Sequence, residues 1–208
     1  DSASPLDRYR RIAALRFEIQ SAALAKVPRP IMQHWAKHLG LWNGKEIVAP
    51  DEFSAALLAD LAVHTPWGKQ EPGIWRHQEP ASDDAAERVA LLDALRGSRL
   101  SLFRIVDLGS EGGVMLQELG SEVPQWLMDE SLPRNVPPGA PFAARVVQLD
   151  EFLITTGAVA RVDKDIMDAI ASMKTRLAAD GRQDEANFAA NLYKAVIEDR
   201  RQKLGIGL

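Results

Sequence analysis

Cysteine is absent from all 208 residues of the chain. That absence removes disulfides, thiolate nucleophiles and cysteine-ligated zinc together, and it suits a reducing compartment, so a cytoplasmic protein is expected. Long apolar runs are lacking as well. No stretch approaches the roughly 20 apolar residues that a bilayer-crossing helix needs, and no membrane partner is expected. The short catalytic signatures are missing too: there is no P-loop, no dinucleotide fingerprint and no G-x-S-x-G elbow. The chain opens on Asp1 instead of methionine, with no basic–apolar–small leader pattern, as expected of a trimmed or processed start.

What is present is ordinary for a folded protein. Hydrophobic residues make up 46% and charged residues 26%, values that exclude wholesale disorder. The length allows one good core, or small lobes that share one. The net charge of −4 hides an asymmetry. Residues 1–40 carry seven Lys/Arg against three Asp/Glu, residues 41–162 carry ten against eighteen, and residues 163–208 carry eight of each. An acidic middle repels phosphate backbones, which disfavours broad nucleic-acid binding. Only the first helix offers a basic face, and its plainest use is to pair with acidic neighbours.

The front of the chain reads as four helices. "SPLDRYRRIAALRFEIQSAALA" has Ser4 to cap, Pro5 in the first turn and Asp7 three residues after the cap. Its apolar positions, among them Tyr9, Ile12, Phe17, Ile19 and Ala23, wrap broadly enough to meet more than one neighbour. "RPIMQHWAKHLG" ends at Gly40 in a left-handed cap, and "DEFSAALLADLAVH" sets Asp51 and Glu52 against the helix dipole. "SDDAAERVALLDALRG" has Ser82 as its cap and Gly97 at its end. Between the last two lies "TPWGKQEPGIWRHQEPA", a loop by composition whose Trp67 and Trp75 call for a surface to pack on.

The period then changes. "RLSLFRIVDL", "GVMLQEL", "EVPQWLMD", "FAARVVQL" and "EFLITTGAVARV" are short runs rich in β-formers, separated by turn residues. Pro138-Gly139 suits a type II turn, and Gly157 suits a bulge. Two helices, about 164–179 and 183–203, end the chain. The expected fold is α+β: an N-terminal four-helix lobe over residues 1–97, a small five-stranded antiparallel β-barrel over 98–162, and C-terminal helices over 163–208 that pack on the rest.

The β segment carries a resemblance. "LSLFRIVDLGSEGGVMLQELG", "WLMDESL" and "PPGAPFAARVVQLDEFLITTGAVARV" are similar to a small β domain of uncharacterised bacterial proteins, some of which carry an additional cysteine-rich SEC-C segment. The resemblance covers mainly residues 98–162. The SEC-C segment has no counterpart here, so its metal role does not carry over. The resemblance implies a domain boundary and no mechanism.

Candidate chemistry is sparse. His34 and His38 stand at i and i+4, a spacing that can place two imidazoles on one metal, but no third ligand is near in sequence, and no metal site or cofactor is expected. Asp129 and Glu130 are adjacent at a strand end, so they point to opposite faces and are expected to meet solvent. Arg145, alone among apolar residues, is expected to face outward or to pair with a carboxylate across the sheet. Four of the five tryptophans fall between residues 35 and 75, which fits a filled core or an aromatic groove between helices and barrel.

These features favour a non-enzymatic interaction or adaptor module whose partner is another protein. Trp67, Trp75 and Trp126 are the candidate contact residues, joined by Arg8 and Arg11. Two alternatives stay open. One is a nucleic-acid-associated protein that uses Arg8, Arg10, Arg11 and Arg16. The other is an enzyme with a site assembled from scattered residues near the tryptophan-containing loop, Asp129 and Glu130.

Overall fold

In a computed structural model of the chain, residues 4–81, 84–109, 112–168, 170 and 181–205 are described. Helix α1 spans Pro5–Ala25, and the Ser4 hydroxyl accepts from the Asp7 amide at 3.1 Å, as the capping pattern anticipates. Its buried residues Tyr9, Ile12, Leu15, Ile19 and Ala23 recur at helical spacing, while Phe17 points to solvent at 69% exposure. Helix α2 (Arg29–His38) ends ahead of Gly40, whose φ of +68° is the left-handed cap its sequence announced. Helix α3 (Glu52–His64) is capped by Asp51, which accepts from the Ser54 amide at 2.8 Å. α3 is buried along most of its length and forms the centre of the helical side.

The segment that reads as a loop is not wholly irregular. It contains one helical turn, α4 (Gly73–Arg76), so α5 (Ala85–Arg96) is the fifth helix of the lobe and not the fourth. Ser82, the expected cap of α5, lies outside the described residues, and Asp84 holds the position before the first turn.

The strands are β1 (Arg99–Leu108), β2 (Gly113–Glu118), β3 (Pro124–Met128), β4 (Pro141–Gln148) and β5 (Leu153–Arg161), with a short helix α6 (Leu132–Asn135) between β3 and β4. They follow the order β1-β2-β3-β5-β4, and β1 also pairs with β4, which closes the ring. Four of the pairings are antiparallel, while β3 and β5 run parallel. This corrects the all-antiparallel expectation, and the reason is parity. A closed ring with an odd number of strands cannot alternate direction at every step, so one neighbouring pair has to be parallel. The Pro137–Ala140 turn has the anticipated form, with Gly139 at φ +81° and the Ala140 amide bonded to the Pro137 carbonyl at 3.1 Å.

Residues 164–168 and 170 are helical and form the described part of α7, and the remainder of that expected helix lies outside the described residues. Helix α8 spans Gly181–Leu204. Among the described residues no helix is long and apolar enough to cross a membrane.

Three apolar clusters result. One fills the ring interior with Phe103, Ile105, Leu116, Leu127, Phe142, Ala144 and Val146. A second joins α2, α3 and α8 to the ring's outer wall at Leu100, Leu102, Ala143 and Ala160. The third joins α1, α4 and α5 to Met128, Val147, Phe152 and Ile154. Residues 143 and 144 thus belong to different clusters, as alternation along a strand requires. Both faces of β4 are covered, which explains its nearly continuous apolar run.

A candidate binding site around the β5 bulge

The β5 bulge organises the polar interior. Ala144 on β4 faces Val159, and Val146 faces Thr155, so two steps along β4 match four along β5. The excess falls at Thr156–Ala158, directly opposite Arg145. Gly157 sits in the excess at φ +100°, a backbone state that side chains with a Cβ rarely adopt. The bulge-forming role expected of Gly157 is what the ladder has.

Thr156 turns toward the helices. Its hydroxyl donates to Asp60 of α3 at 2.9 Å, beside the Arg145 Nε at 3.0 Å and the Tyr193 hydroxyl at 2.8 Å. Arg145 also reaches Glu185 of α8 at 3.4 Å. The arginine expected at the surface or across the sheet is therefore 2% exposed and paired with a helix. The physical reason is the second layer: pointing out of the ring here means pointing into α3. Burial alone would raise the Asp60 carboxyl, but the Arg145 charge and the hydroxyl donors hold it below its ordinary value. The Tyr193 phenol is pushed well up by burial and then by Asp60, so it stays a donor.

His64, one turn further along α3, is buried as well. Its Nε2 lies 3.1 Å from the Gln20 Nε2, which can only donate, so the Nδ1–H faces the Ser98 hydroxyl at 3.2 Å. Burial, reinforced by Arg145 and Arg16 and opposed by Asp60, pushes His64 down to about 3. It is a neutral imidazole under ordinary conditions.

Thr155 turns the other way. Its hydroxyl donates to Asp129 at 2.9 Å, and Asp129 also takes the Ser131 amide, the Ser131 hydroxyl and the Leu132 amide at 2.7–3.0 Å. Asp129 is thus buried, against the expectation of a solvent-facing pair, because α1 lies over the end of β3 and α6 supplies donors. Glu130 alone meets the expectation in part: it is held at the surface by Arg10, at 2.8 Å. Arg16 of α1 completes this side, with Nη1 donating to the Thr155 carbonyl.

The sequence-level candidates do not converge. Arg8 pairs with Glu151 at 2.7 Å, and Arg11 pairs with Glu87. Trp126 packs edge-on against Phe152 with centroids 6.2 Å apart. Trp67 stacks on His34 at 5.0 Å, which ties that imidazole to an aromatic wall. Among the described residues, no group of three or more His, Asp or Glu is placed to hold a metal. Trp75 is the exception among the tryptophans. It is 41% exposed and lines a cavity of about 510 Å³, together with His64, Lys69, Glu71, Arg96 and Arg145. Asp129 borders a different cavity, so the tryptophan loop and the Asp129–Glu130 pair do not form one site.

Trp75 is held from below. A Cβ on Gly73 would lie 3.0 Å from the Val27 Cγ2 and 3.4 Å from the Ala62 carbonyl oxygen, so a side chain there would crowd Val27 and press on α3. Ile74 is buried beneath, and the Arg96 guanidinium lies 6.0 Å from the Trp75 ring centroid. The same Arg96 donates to the carbonyls of Ile74 and His77, pinning both ends of the turn.

A profile of the family of unknown function DUF7986 matches residues 4–196. The chain belongs to this family. No curated protein and no solved structure matches it. The DUF7986 match spans helices and ring together, well beyond residues 98–162, where the sequence resemblance was concentrated.

Sequence reasoning overlooked Asp60 and Tyr193, and it weighed His64 only as a metal ligand beside the tryptophan loop. A signal existed for the first: Asp60 interrupts "SAALLADLAVH" as Arg145 interrupts "FAARVVQL". Two opposite charges, each alone in an apolar run, are candidates for one buried pair.

Proposed function

We propose that this DUF7986 protein is a non-catalytic binding module that takes a segment of a partner protein against Trp75. The observation that carries the reading is the half-exposed Trp75 ring, fixed at the mouth of a cavity between helices and ring. Tryptophan is the residue most enriched where binding energy concentrates, because it brings a large apolar area at little conformational cost. Exposed Lys69 and Glu71 give that cavity a polar rim. At its back, Arg145 is bonded to Asp60 behind it and His64 to Gln20 and Ser98, and these bonds give the wall its shape. Being free of cysteine, the protein suits a reducing interior, and we place it in the cytoplasm. The nucleic-acid reading draws less support, since Arg8, Arg10 and Arg11 are engaged by the chain's own carboxylates.

The test is site-specific crosslinking in the native host, with a photoreactive amino acid replacing Lys69. A single partner should crosslink, and Trp75→Ala should abolish the product without lowering the melting temperature. Undiminished crosslinking in the folded Trp75→Ala variant would overturn the proposal.

A further inference from the structure

The second cavity, on the far side of the bulge, measures about 1050 Å³ and is bordered by Tyr9, Arg16, Asp129, Thr155 and Gly157 at one end and by α8 at the other. We infer that it binds an organic acid, with the carboxylate on the Arg16 guanidinium and an apolar body along the ring mouth and α8.

Arg16 carries the argument. Its Nη1 is bonded to the Thr155 carbonyl, whereas its Nε is enclosed and has no acceptor. Among the described residues Arg16 forms no ion pair. Asp129 is the carboxylate whose charge it feels, but both Asp129 oxygens are taken by Thr155, Ser131 and Leu132. The unsatisfied edge is therefore Nε with Nη2, the edge that matches two carboxylate oxygens in a bidentate pair. Nη2 and Cζ lie over Gly157, 3.6 and 3.8 Å from where a Cβ would stand, so the glycine keeps one face of the guanidinium uncovered. Tyr9, whose phenol is raised first by burial and then by Asp129, stays protonated and adds a hydroxyl donor at the same end.

The rest of the cavity decides the class of ligand. It is far larger than an inorganic anion needs and falls at the upper end of the range for small-molecule sites. Val136, Val159, Val162 and Val196 line it beyond the polar end. Arg161, Arg200 and Lys203 stand with Asp163 and Asp199 among its lining residues, so with Arg16 and Asp129 counted the lining carries one more cation than carboxylate. A head that matches a guanidinium, a body that matches valines and a slightly positive wall together specify a hydrophobic carboxylate. With Nε enclosed and Nη1 bonded to Thr155, Nη2 is the nitrogen that meets the carboxylate first.

Isothermal titration of the full chain with decanoate, decan-1-ol and inorganic phosphate tests the site. Decanoate should bind at least tenfold more tightly than either of the others. Arg16→Gln should weaken decanoate at least tenfold while leaving decan-1-ol unchanged. Val159 lines the cavity and also packs against the ring interior, so Val159→Trp, once its melting curve shows a folded chain, should block decanoate with Arg16 intact. If Arg16→Gln does not fold, the Val159→Trp result and the decanoate-to-decanol ratio decide. Equal affinity for decanoate and decan-1-ol, equal affinity for phosphate, no decanoate binding, or unaltered binding in either folded variant would overturn the inference. None of these measurements involves Trp75, so the partner-binding proposal stands or falls separately.

Discussion

Arg145 and Arg16 approach the same stretch of β5 from opposite sides, and they differ in what neutralises them. Arg145 has a buried carboxylate at 3.0 Å, and that carboxylate has Thr156 and Tyr193 as further donors. Arg16 has one carbonyl oxygen and a neighbouring carboxylate committed elsewhere. A closed set of partners fixes the packing of helix on strand. An open set leaves binding capacity. Two adjacent threonines and a glycine suffice to create both, because alternation sends Thr155 and Thr156 to opposite layers beside the bulge.

The largest effect should come from breaking the closed set. Asp60→Ala leaves Arg145 without its partner in the interior and strips the acceptor from Thr156 and Tyr193, so a loss of about 3–5 kcal/mol is expected at pH 7. Urea denaturation measures it, and a loss under about 1 kcal/mol would show that the pair does not organise the core.

That pair also marks how far the sequence could be read. Ser4, Pro5, Gly40 and Pro138-Gly139 were legible because each answers to local geometry, and each stands where its chemistry placed it. The strands were legible from their period. Strand direction was not, since the parallel β3–β5 pair follows from ring closure and not from any residue. Arg145 and Asp129 were misplaced for one shared reason. Alternation tells which side of a strand a residue takes, but not whether a helix 85 or 120 positions away covers that side. The tryptophans were equally ambiguous: burial of Trp35 and exposure of Trp75 depend on tertiary neighbours, not on composition.

A smaller effect sharpens the comparison through pH. His64 belongs to the closed side, and its folded value of about 3 lies below the ordinary 6.5. The unfolded chain therefore binds the extra proton first. The stability contributed by the neutral imidazole is complete above pH 6.5 and is lost as the pH falls toward 3, by at most about 1.4 kcal/mol per pH unit. Urea midpoints between pH 7.5 and 5 should fall for the wild type and fall less steeply for His64→Gln. Parallel curves would mean that the histidine is not buried neutral.

The smallest effect is expected on the open side. Arg16→Met removes one hydrogen bond and, with it, an enclosed N–H that has no acceptor, so the net change should stay within about 1 kcal/mol in either direction. A loss as large as that of Asp60→Ala would make Arg16 a structural partner and erase the distinction between the two arginines. Thermal and urea unfolding of the two variants side by side give the answer.

The Arg16–Thr155 bond, which spans 139 positions of the chain, also imposes an order in time. Helix α1 is made well before the strand it covers. At the usual pace of synthesis, of about 5–20 residues per second, the two ends of this bond emerge roughly 7–30 s apart. Through that interval Ile12, Leu15 and Ile19 have no ring wall to rest on, and the ring itself cannot close until β5 enters between β3 and β4. In that interval α3, α4 and α5 are the neighbours that can already cover α1, so the helical side can assemble on itself before the ring gives it a wall.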